Sequence, residues 1–150
     1  MLMVLAGLAI LGLIAVPSMR DGVLKGQVKE GLKLAAVAET GVQAAYTLNG
    51  GKFPANNSEA GLPSSDKIVG SVVKDVSVNA GAITITFGNN ASSALDGKKV
   101  TLRPAVVPDS PVVPIAWLCH TAPVPKNMAV TGTDATDVPP NWLPVECRIS

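Results

Sequence analysis

The sequence predicts an α+β fold, in which one long N-terminal helix packs on a four-stranded antiparallel sheet and a C-terminal loop follows. Three observations carry this expectation. An uncharged apolar run, Met1–Val16, leads into a stretch with helical periodicity that ends only at Asn49-Gly50-Gly51. Four short strand-like runs separated by turn residues lie between 71 and 119. Two cysteines, Cys119 and Cys147, bound a proline-rich tail with little regular pattern.

The first element is the helix. MLMVLAGLAILGLIAV contains no charge, Pro17 interrupts it, and Arg20 and Asp21 follow. As a helix those residues rise about 24 Å at 1.5 Å each, slightly less than the roughly 20 residues that span a bilayer core. A cleaved signal peptide would carry a basic region before the apolar run, but the first basic residue here is Arg20. A helix apolar on every face could also be a buried core helix, yet that needs a large protein around it. A membrane-inserted helix that later packs against copies of itself fits best. From Val23 the sequence turns amphipathic. Leu24, Val28, Leu32, Ala35, Val42 and Tyr46 recur at three- and four-residue spacings, with Lys25, Lys29, Glu30, Lys33 and Glu39 among the remainder. Frequent alanine favours helix, and Asn49-Gly50-Gly51 breaks it. One helix of two halves, joined by a proline-associated bend, is therefore expected. Gly22 and Gly26, four apart, either permit close helix approach or merely weaken the helix locally. Gly7 and Gly12 offer the same choice.

Residues 50–70 are rich in Pro, Asn, Ser and Gly and read as loop. Ser71–Val78 is a mixed strand candidate, Asn79-Ala80-Gly81 a turn, and Ala82–Phe87 (AITITF) alternates with β-branched residues. Lys99–Val107 is a third strand, which Pro104 is expected to end or place at an edge. Pro114–Cys119 is a fourth, and Trp117 within it is expected to face the core. Consecutive strands with short turns imply antiparallel pairing, and the amphipathic helix half is the natural cover for the inner face.

Aromatics make up 3% of the chain, so aliphatic residues must fill the core. Hydrophobic residues make up 47% and charged residues 15%, a balance that implies a membrane segment or a large buried contact. The net charge of +1 lacks the basic excess usual in nucleic-acid binders. The two cysteines read as a disulfide in an exported chain and as free thiols in a cytosolic one. The membrane-helix reading favours export, and a bond closing the tail would stabilise it by roughly 3–4 kcal/mol through chain entropy. His120, the only histidine, could join Cys119 in a metal site or a nucleophilic pair, but a bonded cysteine removes both. No phosphate-binding, dinucleotide or serine-hydrolase motif occurs. No cofactor and no catalytic set is expected.

In organisation the whole chain resembles the type IV pilins, specifically the type IVa group of Gram-negative bacteria. The apolar helix ending in IAVPSM resembles the family's N-terminal helix. The string Trp117-Leu118-Cys119, Pro125, Met128, Gly132–Thr136, Leu143-Pro144 and Cys147-Arg148 resembles its disulfide-bonded region, most closely that of major pilins of the kind seen in Pseudomonas. The family's mature chains begin with a methylated aromatic residue and carry a glutamate shortly after. No residue here takes that glutamate's role, which suits a helix that extends in front of Met1.

The resemblance implies a structural filament subunit, with 1–22 as a membrane and filament-core helix half and 23–150 as the pilin head. Within the head, 23–49 is the amphipathic helix half, 50–70 the loop, 71–119 the sheet and 119–147 the disulfide loop. Filament packing is assigned to Leu8, Leu11, Leu13, Ile14, Pro17, Gly22 and Gly26. Candidate surface contacts are Lys126, Asn127, Thr131, Gly132, Thr133, Asp134, Ala135, Thr136 and Trp142, since exposed loops on a rigid base commonly bind. Ser150 is a candidate glycosylation site. The implied partners are copies of the same chain, the pilus assembly machinery and the inner membrane before extracellular assembly. A host glycan, an abiotic surface and DNA are further candidates. Adhesion, twitching motility and DNA uptake are the functions implied for the filament. A minor pilin that binds DNA or a glycan is the alternative, as is a type II secretion pseudopilin, which usually lacks the terminal disulfide.

Overall fold

A computed structural model of the chain describes the backbone of residues 2–147 and the side chains of residues 20–147. The packing positions Leu8, Leu11, Leu13, Ile14 and Pro17 lie outside the described side chains, and Arg148 and Ser150 outside the described chain. Helix α1 runs from Leu2 to Leu48. Its end is set by glycine: Gly50 and Gly51 adopt φ of 65° and 95°, and the Gly51 N–H returns to the Tyr46 carbonyl at 2.9 Å. Among the described residues no helix is long and apolar enough to cross a membrane.

Five strands follow: β1 Val73–Asn79, β2 Ala82–Phe87, β3 Lys99–Val106, β4 Ala116–Cys119 and β5 Ala129–Val130. The order is β1-β2-β3-β4, all antiparallel, and β5 also pairs with β3. The four predicted strands are present. The two-residue β5, contributed by the C-terminal loop, carried no strand pattern of its own. The β1–β2 hairpin turns on Ala80 and Gly81, at φ of 50° and 83°. Two left-handed central residues give the turn whose twist matches that of the strands. A Cβ on Gly81 would also stand 2.5 Å from the Phe53 ring.

The inner sheet face, including Val76, Ile83, Ile85, Phe87, Val100 and Leu102, is buried under α1. The helix answers with Leu24, Val28, Ala35, Ala38, Val42 and Ala45, spaced alternately four and three apart with Gly31 completing the stripe. The expected stripe contained Leu32, which is only half-buried. Gly31 faces the sheet in its stead, because a Cβ there would lie 2.5 Å from Cε1 of Phe87 and 3.1 Å from Cγ2 of Val73. The helix sits too close to the sheet at this level for any side chain.

Pro104 corrects the reading that it ends β3 or sits at an edge: β3 is central and continues to Val106. In an antiparallel strand one residue's N–H and C=O point to the same side. The Pro104 carbonyl accepts the Thr131 N–H at 3.1 Å, on the side of β2 and β5. Pairing with β2 has already stopped at Ile83–Leu102, and β5 begins pairing only at Ala105. The missing proline N–H therefore falls in the gap between two partners and breaks no ladder bond.

On the free side of β1, one side chain takes up two of the strand's backbone groups. Buried Asn57 donates through Nδ2 to the Val76 and Pro63 carbonyls, each at 3.0 Å, and accepts the Val78 N–H at 2.7 Å. That amide thereby stands in for a neighbouring strand between Val76 and Val78.

Two glycine substitutions should move stability in opposite directions. Gly22 is exposed and a Cβ would meet nothing within 4 Å, so Gly22→Ala should stabilise by about 0.5–1 kcal/mol through helix propensity. Gly31→Ala gains the same propensity but must displace the fully buried Phe87, at about 1–3 kcal/mol, so it should destabilise. Denaturant unfolding of the purified subunit distinguishes them; equal stabilisation by both would remove the close-contact explanation.

Candidate functional site

Two surfaces merit a functional reading: the C-terminal loop and the pole of α1 turned away from the sheet. The loop begins where β4 ends. Cys119 and Cys147 are disulfide-bonded with Cα atoms 4.7 Å apart, and both are buried in the core cluster. The loop between them is more than a surface strap, because Val138 and Leu143 are themselves buried in the core. Past the short turn Pro140–Trp142, the Trp142 indole N–H donates to the Asp21 carboxylate at 3.1 Å and ties the loop to α1.

The same loop completes both sides of β3. On one side β5 pairs beyond the end of β2. On the other, residues 135–137 take over where β4 stops. Asp137 accepts the Lys99 N–H at 2.6 Å and returns its own N–H to the Lys99 carbonyl at 3.0 Å. Thr136 Oγ1 accepts the Thr101 N–H at 2.9 Å. Fully buried Thr101 in turn accepts the Ala135 N–H at 3.1 Å and shares a hydrogen bond with Thr84 at 3.0 Å.

One histidine–carboxylate pair holds the base of the loop. His120, at a left-handed φ of 51°, places Nδ1 2.7 Å from Asp134 Oδ2, and its carbonyl accepts from the Arg103 guanidinium at 3.3 Å. The Thr136 N–H donates to Asp134 Oδ1 at 3.1 Å. Burial raises the Asp134 pKa, but hydrogen bonds from Thr136 and His120 and the histidine's charge outweigh it, leaving the carboxyl below its ordinary value.

The candidate contact residues divide accordingly. Lys126, Asn127, Thr131, Gly132, Thr133 and Ala135 are exposed. Asp134, Thr136 and Trp142 are half-buried, with side chains engaged inside the fold. Gly132 crosses the outer sheet face, where a Cβ would lie 2.8 Å from that of Ala82. Trp117, expected in the core, packs against it but remains partly exposed beside α1.

On α1 the pole opposite the buried stripe carries Gly22, Gly26, Lys29 and Lys33, then Thr40 and Ala44, all exposed. A Cβ on Gly22 or Gly26 meets nothing within 4 Å, so neither glycine is required by the chain's own packing. The far end of this pole borders a groove formed with Ile115 and Trp117 and containing Glu39. In the sequence Glu39 reads only as one of the helix's polar residues, because its spacing is that of any exposed helix charge. Val138 and Leu143 escaped because isolated apolar residues among prolines show no period.

The family model described as Pilin (bacterial filament) matches residues 25–148. A fimbrial protein of Neisseria meningitidis serogroup A is 33% identical over 135 residues, covering 89% of this chain and 76% of the relative. The type IV major pilin protein PilE of Neisseria gonorrhoeae is 32% identical over 156 aligned positions, covering 99% and 89% respectively. Fimbrial protein EcpC of Eikenella corrodens is 31% identical over 106 residues, 69% of each chain.

Two measurements probe the loop. Cys147→Ser should lower stability by about 3–4 kcal/mol on the chain-entropy model, read as a shifted denaturant midpoint; an unchanged midpoint would contradict it. Asp134 has a lowered folded-state pKa, so its stabilising contribution is fully present above the ordinary value of 3.8 and lost as pH falls through the depressed one. Asp134→Asn should therefore flatten the fall in stability below pH 4, and an unaltered acid profile would exclude the role.

Proposed function

This chain belongs to the pilin family and is a structural subunit of a type IV pilus filament, and we propose that the filament serves surface adhesion and twitching motility, and DNA uptake where the cell is competent. One observation supports assembly through α1 most directly. The helix has its inner stripe covered by the sheet, while the opposite pole exposes two glycines the fold does not need. Small residues at such a pole allow helix axes to approach closely. On this reading the subunit waits in the inner membrane with residues 1–22 in lipid, and the assembly machinery then extracts it. Leu8, Leu11, Leu13, Ile14, Pro17, Gly22 and Gly26 pack against neighbouring copies, exchanging lipid contact for protein contact.

The head then faces outward. Lys126, Asn127, Thr131, Gly132, Thr133 and Ala135 are the exposed loop positions suited to touch a glycan or an abiotic surface, and Ser150 is assigned as a glycosylation position. The narrower likeness to Pseudomonas-like major pilins rests on the C-terminal string alone. DNA contact by the unassembled subunit draws support from Lys25, Lys29 and Lys33, four residues apart on α1, which have no carboxylate within 4.0 Å among the described residues. A pseudopilin role is disfavoured by the terminal disulfide.

Electron microscopy of filaments sheared from cells, with mass spectrometry of their subunit, should find this chain as the main component. Trace amounts would favour a minor pilin, and no filament at all would overturn the structural role. A gel shift with the soluble head should show any DNA binding weakening steeply with salt; no shift at low salt removes binding by the single subunit.

A further inference from the structure

The groove between the C-terminal half of α1 and β4 has a particular chemistry. Its apolar floor is Ala44, Leu48, Ile115 and Trp117, and Leu48 is 84% exposed, the most exposed large hydrophobic residue described. Its neutral polar side chains are already committed. The Ile115 N–H donates to Gln43 Oε1 at 2.7 Å and Gln43 Nε2 donates to Thr47 at 3.3 Å. The Thr47 hydroxyl continues to the Pro111 carbonyl at 3.2 Å, and Thr40 is bonded to the Ala36 carbonyl at 3.0 Å. These bonds fix the groove's walls. Glu39 is the exception: its carboxylate has no hydrogen bond and no cation within 4.0 Å among the described residues. Burial raises its pKa, the sign of a carboxylate that has lost water without gaining a counter-charge. The backbone reinforces the point. Pro104 and Trp117 face each other as a non-hydrogen-bonded pair, so the Trp117 N–H and C=O point away from the sheet, along the free side of β4.

The same chain presents a complementary knob. Pro123-Val124-Pro125 is exposed and held extended by its prolines. It ends in a turn closed by the Met128 N–H on the Pro125 carbonyl at 3.2 Å, with Asn127 at φ 67°. That turn holds Lys126 outward, with no carboxylate within 4.0 Å among the described residues. An apolar, conformationally restricted segment tipped by one cation matches an apolar groove containing one anion. Prolines against a tryptophan-lined groove are a favourable surface match, because little conformational entropy is lost on docking.

We propose that in the filament the Pro123–Lys126 knob of one copy docks in the α1–β4 groove of another, with Lys126 meeting Glu39 and Val124 resting on Trp117 and Ala44. This contact between heads rests on the filament reading and deepens it. It is separate from the helix packing assigned above to the N-terminal half. A heterologous contact of this kind uses two different patches of each subunit and so propagates along a polymer.

Charge reversal and cross-linking in filament-producing cells test it together. Glu39→Lys and Lys126→Glu should each reduce sheared filament yield about tenfold, equivalent to roughly 1.4 kcal/mol per contact. The double reversal should restore yield to within about twofold of wild type, since the pair attracts again. Both positions are at least partly exposed, and an intact disulfide with unchanged thermal melting of the purified variants separates docking from folding. Ala44→Cys combined with Val124→Cys should give an oxidised ladder of covalent multimers that neither single variant gives. Single variants assembling like wild type, a double reversal no better than the worse single, or the absence of a ladder from intact filaments would each overturn the contact. Wild-type cells with no filament built of this chain would overturn the filament reading itself, a result distinct from the other three.

Discussion

A single-layered sheet can bury one face only against something else, and here that partner is α1. The whole arrangement depends on how near the helix comes. At Gly31 the separation leaves no room for a Cβ, because the Phe87 ring fills the space against the helix backbone. Close approach lets short residues such as Ala35 and Ala38 reach the sheet, so a core with few aromatics still closes. It also fixes which pole faces away. The rotation of α1 is set by its inner stripe and held by polar ties, Gln27 to the Ser92 N–H, Gln43 to the Ile115 N–H and Asp21 to the Trp142 indole. Each such bond contributes only about 1 kcal/mol net, but a rotated helix would lose them together. The open pole and the groove beside β4 follow from that rotation.

β3 is the second organising element. It is central, yet no neighbour spans its full length: β2 leaves it at Leu102 and β4 ends at Cys119, opposite the same residue. The C-terminal loop supplies what is missing on both sides, with β5 on one and Thr136 and Asp137 on the other. The disulfide is therefore tied to more than the entropy of a long loop. It holds in place the segment that satisfies backbone groups of the central strand, which would otherwise be costly to bury. Asn57 closes β1 by the same device of a side chain standing in for a strand. Such closure also denies other chains an open strand edge, except along β4, where the groove lies.

Much of this was legible in the sequence. Period 2 in AITITF, the glycines after Asn49 and the spacing of Leu24, Val28, Ala35 and Val42 specified a helix, a sheet and their facing sides. Those signals are local: each reads out the geometry of one element, and backbone sterics with side-chain direction suffice to produce it. The paired cysteines and the apolar start pointed to the exported filament family, and the family match agrees. Leu32 for Gly31 was the characteristic error, since a pattern of apolar residues cannot reveal a position where the fold requires that there be no side chain.

What only the tertiary structure decided was set by neighbours distant in sequence. Pro104 could stand in a central strand because β2 ends and β5 begins on either side of its missing N–H, a coincidence of two loops that its own strand does not encode. Val138 and Leu143 became core, and Thr136 and Trp142 became ties, because the disulfide and β3 brought the tail across the sheet. Glu39 became exceptional only when its neighbours' polar groups proved to be occupied. The sequence by itself determined the elements and the family, through periodicity and turn chemistry. The tertiary structure decided which polar groups remain unmatched, because hydrogen-bond satisfaction depends on contacts that no local pattern records.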